Sequence, residues 1–254
     1  MTPQKSTALA TIILAAGKGT RMKSDMAKVL HPVCGKPMLW YAVELAELLG
    51  SEKIIAVTGH QASMVKKAME GRNLTYVYQA KQLGTAHAVL QADTALHGFD
   101  GTVLILYGDV PLLRLSTIES LLKHHRTHNA TISVLTAILD NPGSYGRVIK
   151  NQKGDVLKIV EERDAVAEEQ RVKEINTGIY CAESTFLFEA VKQIDNNNAQ
   201  GEYYLTDIFE CARRENRKIG SVIINDSSEA MGVNTHDDLE TAEKILRSRD
   251  HNTL

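Results

Sequence analysis

Two stretches carry the residue types that could handle phosphate and metal. Residues 11–22 read TIILAAGKGTRM, a β-branched apolar run breaking into small residues, two glycines and cations. Such a run is a buried strand feeding a tight loop. Ala15, Ala16, Gly17 and Gly19 keep side-chain bulk away from a ligand, so successive backbone N–H groups can curl around anionic oxygens. Arg21 offers a planar fork for phosphate; Lys18 and Lys28 act as point charges. The alternative is an ordinary strand-to-helix turn that happens to hold glycines. The second stretch, residues 104–109, is an apolar run ending in Gly108 and Asp109. A carboxylate at the mouth of a sheet, facing a phosphate loop, suits Mg²⁺. The competing role is a turn cap before Pro111.

Three further groups are weaker alone. Gln79 and Gln82 carry amides suited to a pyrimidine edge, while Gly84 and Thr85 open the helix that follows; a plain loop with an N-cap explains them equally. Tyr145-Gly146-Arg147, Glu161-Glu162 and the Glu174–Gly178 stretch combine carboxylate, amide and bare backbone, as sugar hydroxyls and an N-acetyl group require. A solvated charge run accounts for residues 161–164 as well. Asn176, between apolar neighbours, needs partners that a ligand could supply. Asn234 could offer a neutral oxygen to the cation on Asp109, or be a plain loop residue before a Thr235 cap. His124 and His128, four apart, read as a solvated helix face because no third ligand is evident.

Elements of a repeating kind must position these residues. Strand-like segments at 53–58, 74–78 and 103–107 alternate with helical ones at 37–49, 61–70, 85–96 and 116–125, the last opened by a Ser116/Glu119 capping box. That β-α-β-α order predicts an α/β fold, a mostly parallel sheet flanked by helices with ligands beyond the carboxyl ends of its strands. The second half turns β-rich: a strand at 130–139, a hairpin at 147–150 and 156–161, and a strand at 171–181. Helices at 183–194 and 205–216, a polar loop at 195–201, a strand at 218–224 and a helix at 237–249 complete it. The expected division is one domain over 1–254: a nucleotide half to about 128, a sugar half over 129–235 and a last helix over 236–250.

Composition removes other classes. In 254 residues, 29 Lys and Arg oppose 31 Asp and Glu, so nucleic acid is not an expected partner. Three scattered cysteines suit a reducing, cytoplasmic setting. Residues 1–8 do not read as a secretory signal, and no apolar run suggests membrane contact. The P-loop spacing is absent, and the third glycine of the dinucleotide fingerprint is Met22.

Taken in order, LAAGKGTRM, KVL, QAKQLGTAHA, YGDVPL, YGRV, IVE, EINTGIY, NNNAQGEYYLTD and GVN resemble the uridylyltransferase domain of the bifunctional N-acetylglucosamine-1-phosphate uridyltransferases, with a Rossmann-like nucleotidyltransferase fold. The likeness covers about residues 9–245. It implies that Leu14, Ala15, Ala16, Gly17, Gln79, Gly84 and Thr85 hold uridine. Arg21 and Lys28 would meet phosphates, and Asp109 and Asn234 would ligate Mg²⁺. Tyr107, Gly108, Gly146, Glu161 and Asn176 would line the sugar side, with Glu202, Tyr204 and Thr206 near. The implied substrates are UTP and N-acetylglucosamine-1-phosphate, the implied product a cell-wall precursor. Alternatives are another sugar phosphate, such as glucose-1-phosphate, or a non-catalytic nucleotide-sugar-binding protein. Bifunctional relatives continue into a hexapeptide-repeat β-helix that transfers acetyl groups. No such repeat occurs here, so acetyl transfer is not expected and would fall to a separate acetyltransferase partner. Ala27 stands where relatives often carry Pro.

Overall fold

A computed structural model describes residues 7–251; residues 1–6, which hold most of the opening polar segment, and 252–254 lie outside the described residues. Strands β1 (Leu9–Ala15), β2 (Pro32–Val33), β3 (Lys36–Pro37), β4 (Lys53–Thr58), β5 (Thr75–Tyr78) and β6 (Thr102–Tyr107) interleave with helices α1 (Met38–Leu48), α2 (Ala62–Ala68), α3 (Thr85–Leu90) and α4 (Leu115–Thr127). Then come β7 (Ile132–Ile138), β8 (Arg147–Lys150), β9 (Val156–Val160), α5 (Ala167–Gln170), β10 (Glu174–Glu183), α6 (Ser184–Val191), α7 (Ile208–Arg214), β11 (Ile219–Ile223) and α8 (His236–His251). Among the described residues no helix is long and apolar enough to cross a membrane.

The main sheet runs β11-β7-β10-β6-β1-β4-β5, with β8 and β9 branching from β10. β1 pairs in parallel with β4 and β6, β4 with β5, and β7 with β11. Only β10 reverses within that row, antiparallel to both β6 and β7. Alternation along the strands divides the core into two layers. Ala10, Ile12 and Leu14 of β1 face one layer with α3, α6 and α7; Leu9, Ile13 and Ala15 face the other with α1, α2 and α4. A smaller cluster of Val33, Met38, Leu112, Val233 and Ala242 seats α8.

Two sequence expectations fail locally. The Ser116 capping box does not form. The helix starts at Leu115 with Arg114 as its cap residue, and the Arg114 N–H donates to the Glu229 carboxylate at 3.0 Å. A buried acid from a distant loop thereby replaces the local cap. The helix expected over 85–96 is regular only to Leu90; the Ala92 and Asp93 N–H groups then bond three residues back, tightening the chain into turns.

Candidate active site

The loops after β1, β4, β5 and β6 all leave the same edge of the sheet. Because β10 runs the other way, its beginning reaches that edge where its neighbours end. A register shift between Asn176 and Tyr180 marks the place. Gly178 there has φ +81, and a Cβ on it would lie 2.6 Å from the Tyr107 ring, so this position requires glycine for both conformation and space.

The edge carries a cleft with two lobes of about 260 and 230 Å³. Leu14, Ala15, Ala16, Gly17, Lys28, Gln79, Gly84 and Asp109 line the first. Gly146, Glu161, Asn176, Tyr204 and Thr206 line the second. Thr85, Tyr107 and Glu202 belong to both and form the saddle between them. Of the residues singled out from the sequence, Gly108, Arg21, Asn234, Arg147 and Glu174 line neither lobe. Arg147 bonds main-chain carbonyls and Glu174 pairs with Lys150, and Gly108 lies beneath the edge. Its missing side chain would meet Val29 and Leu39 at 3.1 Å, so it serves packing beneath the edge rather than the cleft wall.

At the end of the first lobe, cations and oxygens converge. Lys28, 9% exposed, is ion-paired with Asp109 and donates to Asn234 Oδ1 at 2.6 Å. Arg21 donates to the same oxygen at 2.7 Å. The Asn234 amide is oriented by its own Nδ2, which bonds Gly232 O at 3.0 Å. Its backbone N–H and that of Thr235 both donate to Asp238, whose N–H bonds the Thr235 hydroxyl, closing a reciprocal cap on α8. The Val233 N–H donates to Asp109 O at 2.9 Å. Residues more than a hundred positions apart are thus joined by main chain as well as by side chains.

In the first lobe Gln79 is almost fully buried. Its Nε2 donates to Gly84 O at 3.1 Å and to His87 Nδ1 at 3.0 Å, which leaves Oε1 without a protein partner among the described residues. Burial holds the His87 imidazole below its ordinary pKa, consistent with a neutral ring accepting at Nδ1. The Thr85 hydroxyl accepts from the Leu205 N–H at 3.0 Å, and Tyr203 brackets residues 83–86 with two main-chain bonds. Thr85 therefore stitches the two lobes together.

The second lobe departs from one expectation. Asn176 already has partners: its Nδ2 donates to the Tyr180 hydroxyl at 2.7 Å, and its Oδ1 accepts from Gly178 N at 3.0 Å. Its amide therefore braces the irregular start of β10 while the residue lines the lobe. Glu161 is no solvated charge. Burial first, then Asp164 and Glu202, raise its carboxyl above the ordinary value, while Thr206 donates to it at 3.3 Å and pulls the other way. Tyr107 is kept a neutral phenol, raised by burial and then by Glu161 and Asp109. Ser144, Tyr180 and Gln200 also line this lobe. Gln200 and Tyr180 fall within the stretches NNNAQGEYYLTD and EINTGIY but read there as loop and strand residues, and Ser144 gave no signal.

A model of the nucleotidyl transferase family matches residues 10–248. The bifunctional protein GlmU of Pelobacter propionicus is 49% identical over 242 residues, covering 95% of this chain and 53% of that protein. Those of Geobacillus thermodenitrificans and Streptococcus mutans are 48% and 46% identical, each covering 94% of this chain and 52% of the relative. The chain spans about half the length of these curated relatives. A solved Bacillus anthracis protein, assigned as a glucose-1-phosphate thymidylyltransferase and in complex with sucrose, superposes with TM-score 0.73 at 23% identity. It covers 94% of this chain and 96% of its own, a likeness of fold. With the phosphate-type loop and the opposed oxygens at one sheet edge, a match over nearly the whole described chain leaves one conclusion: this chain belongs to the nucleotidyl transferase family.

Proposed function

We propose that the protein transfers uridylyl from UTP to N-acetylglucosamine-1-phosphate, giving UDP-N-acetylglucosamine and pyrophosphate, with Mg²⁺ as cofactor. The observation that carries this reading is the meeting of Lys28, Arg21, Asp109 and Asn234 at the end of a lobe floored by bare backbone, which adjoins a second lobe lined by Glu161 and Tyr204. The resemblance to the N-acetylglucosamine-1-phosphate uridyltransferases favours the uridylyl group and the acetamido sugar, and the GlmU relatives at 46–49% identity support it.

The oxygens fit a hard divalent cation. One positive centre, the Lys28 ammonium, already lies against both Asp109 Oδ2 and Asn234 Oδ1, a carboxylate and an amide oxygen of the kind Mg²⁺ takes. Among the described residues no three His, Cys, Asp or Glu side chains gather as a metal site, so substrate phosphates would complete the coordination, as Mg²⁺ sites often allow. When bound, Mg²⁺ would supply charge neutralisation at the phosphates of both substrates.

The chain's own residues do the rest by position. A phosphate oxygen of the sugar phosphate forms a bond to the α-phosphorus of UTP, and the bond to the pyrophosphate oxygen breaks. That nucleophile is anionic at neutral pH, so no side chain need take a proton. Arg21 and Lys28 offset charge on the α-phosphate and the departing pyrophosphate. Gln79 Oε1 can accept the imide N–H of uracil, which cytosine lacks. Tyr107 and Thr85, on the saddle, hold the two substrates in line, and Glu161 accepts from sugar hydroxyls.

The test is pyrophosphate release from UTP with a panel of sugar phosphates, with and without magnesium. Release with N-acetylglucosamine-1-phosphate that depends on magnesium is expected. Release with glucose-1-phosphate alone would reassign the sugar, and no release with any pair would make the protein a binder.

A further inference from the structure

Lys28 reaches its two oxygens from a short irregular segment, and a residue outside the cleft holds that segment. Gln61 lies between β4 and α2 with its backbone in the left-handed region, φ 54. Its carbonyl accepts from Met64 N at 2.9 Å and Val65 N at 3.1 Å, fixing it to the start of α2. Its side chain points back. Oε1 accepts the Ala27 N–H at 2.7 Å, and Nε2 donates to the Asp25 carbonyl. The Ala27 carbonyl in turn accepts from Leu30 N at 2.9 Å, closing the turn that contains Lys28. Both ends of one amide thus grip the chain just before Lys28. Gly59, two residues earlier than Gln61, sits against the first loop: a Cβ there would lie 2.8 Å from Ala16 O. The anchor therefore lies against the phosphate loop.

We propose that Gln61 is a positioning residue for Lys28, a clip from the β4–α2 loop that sets where the ammonium falls. The proposal rests on the role given to Lys28 above. It also explains what Ala27 supplies. Ala27 has φ −55 and ψ 132, angles a proline ring accepts, but proline has no N–H to give. A chain with alanine here needs the hydrogen bond for the rigidity that a ring would confer directly.

This leads to a rescue experiment on the full chain. Gln61→Ala should raise the rate of acylation of Lys28 by an amine-reactive ester, read by mass spectrometry, about tenfold. It should lower kcat for pyrophosphate release about 10- to 100-fold, the range for residues supporting a site's direct contacts, with KM for the sugar phosphate little changed. Adding Ala27→Pro to Gln61→Ala should slow the acylation again and restore most of kcat. A role in general stability alone would lower the melting temperature without either selective effect or the rescue. Parent-like acylation of Lys28 in Gln61→Ala overturns the clip, and so does a double variant as impaired as the single one. If the parent releases no pyrophosphate from any substrate pair, the function above falls, while the acylation rates still decide the clip.

Discussion

A single ammonium between a carboxylate and an amide is the crux at the residue scale. Asp109 and Asn234 were readable in the sequence as candidate oxygens, but their approach was not: nothing local says that a loop after β6 meets a loop before α8. What the sequence could not show at all is that Lys28 bridges them. Asp109→Asn keeps the size and loses the charge, so Lys28 keeps an acceptor and the fold should hold. Turnover should drop on the order of 10²–10³-fold, measured as pyrophosphate release across a magnesium titration, with an unchanged melting curve. Glu161 gives a second expectation, with a definite sign. Burial raises its carboxyl, so on lowering the pH it takes up a proton earlier than an exposed glutamate and ceases to be a pure acceptor. The apparent affinity for sugar phosphate should therefore weaken on the acid side, from above the ordinary carboxylate range. Glu161→Gln should weaken it at every pH and erase that acid limb, while leaving KM for UTP near the parent value. Profiles of kcat/KM against pH for each substrate decide it.

At the scale of elements, glycines and caps show how sequence patterns can be right in kind and wrong in purpose. Both Gly17 and Gly19 read as openings for a ligand. Gly17 has nothing within 4 Å of where a Cβ would stand, and it lines the cleft. Gly19 has φ +63, and its Cβ would lie 2.6 Å from Lys28 Cβ; its bareness admits Lys28, not substrate. Gly19→Ala should therefore act on Lys28. The strained conformation costs about 1 kcal/mol of stability, visible as a modest fall in melting temperature. The displaced lysine should cost far more in kcat. A variant that melts lower yet turns over normally would separate Gly19 from the site. The caps teach the same lesson. The Thr235 cap formed because its partner, Asp238, is three residues away on the same helix. The Ser116 box did not form because Glu229 and Asp226, from a loop more than a hundred residues on, take Arg114 instead. Local pattern decides a helix start only where no distant group competes for it.

Over the whole molecule, the β-α alternation was readable because the central parallel strands β1, β4 and β6 are buried on both faces and so are mostly apolar, whereas the edge strands β5 and β11 are only partly buried. The reversal of β10 was not, since strand direction leaves no mark on an apolar run. Yet that reversal delivers residues 174–178 to the same edge as the phosphate loop and creates the second lobe. It also gathers acids. A chain of net charge −2 concentrates Glu161, Asp164, Asp195, Asp207 and Glu210 around one end, and Asp207 bears the consequence. Burial, then Glu210, Asp195, Glu161 and Asp164, raise its carboxyl to about 6. A carboxyl raised on folding is protonated in the native state where the unfolded chain has already lost the proton. Stability from this group is therefore full below the unfolded value, near 3.8, and is lost as pH rises through about 6. Asp207→Asn removes the ionisable group, so it should be nearly neutral at pH 4 and stabilising at pH 7, with the gain developing between those limits. Thermal melts of parent and variant at several pH values measure it directly. A gain largest at pH 4, or a loss at pH 7, would mean that the Asp207 carboxylate helps to hold the acidic end together, for example by capping α7, which it directly precedes.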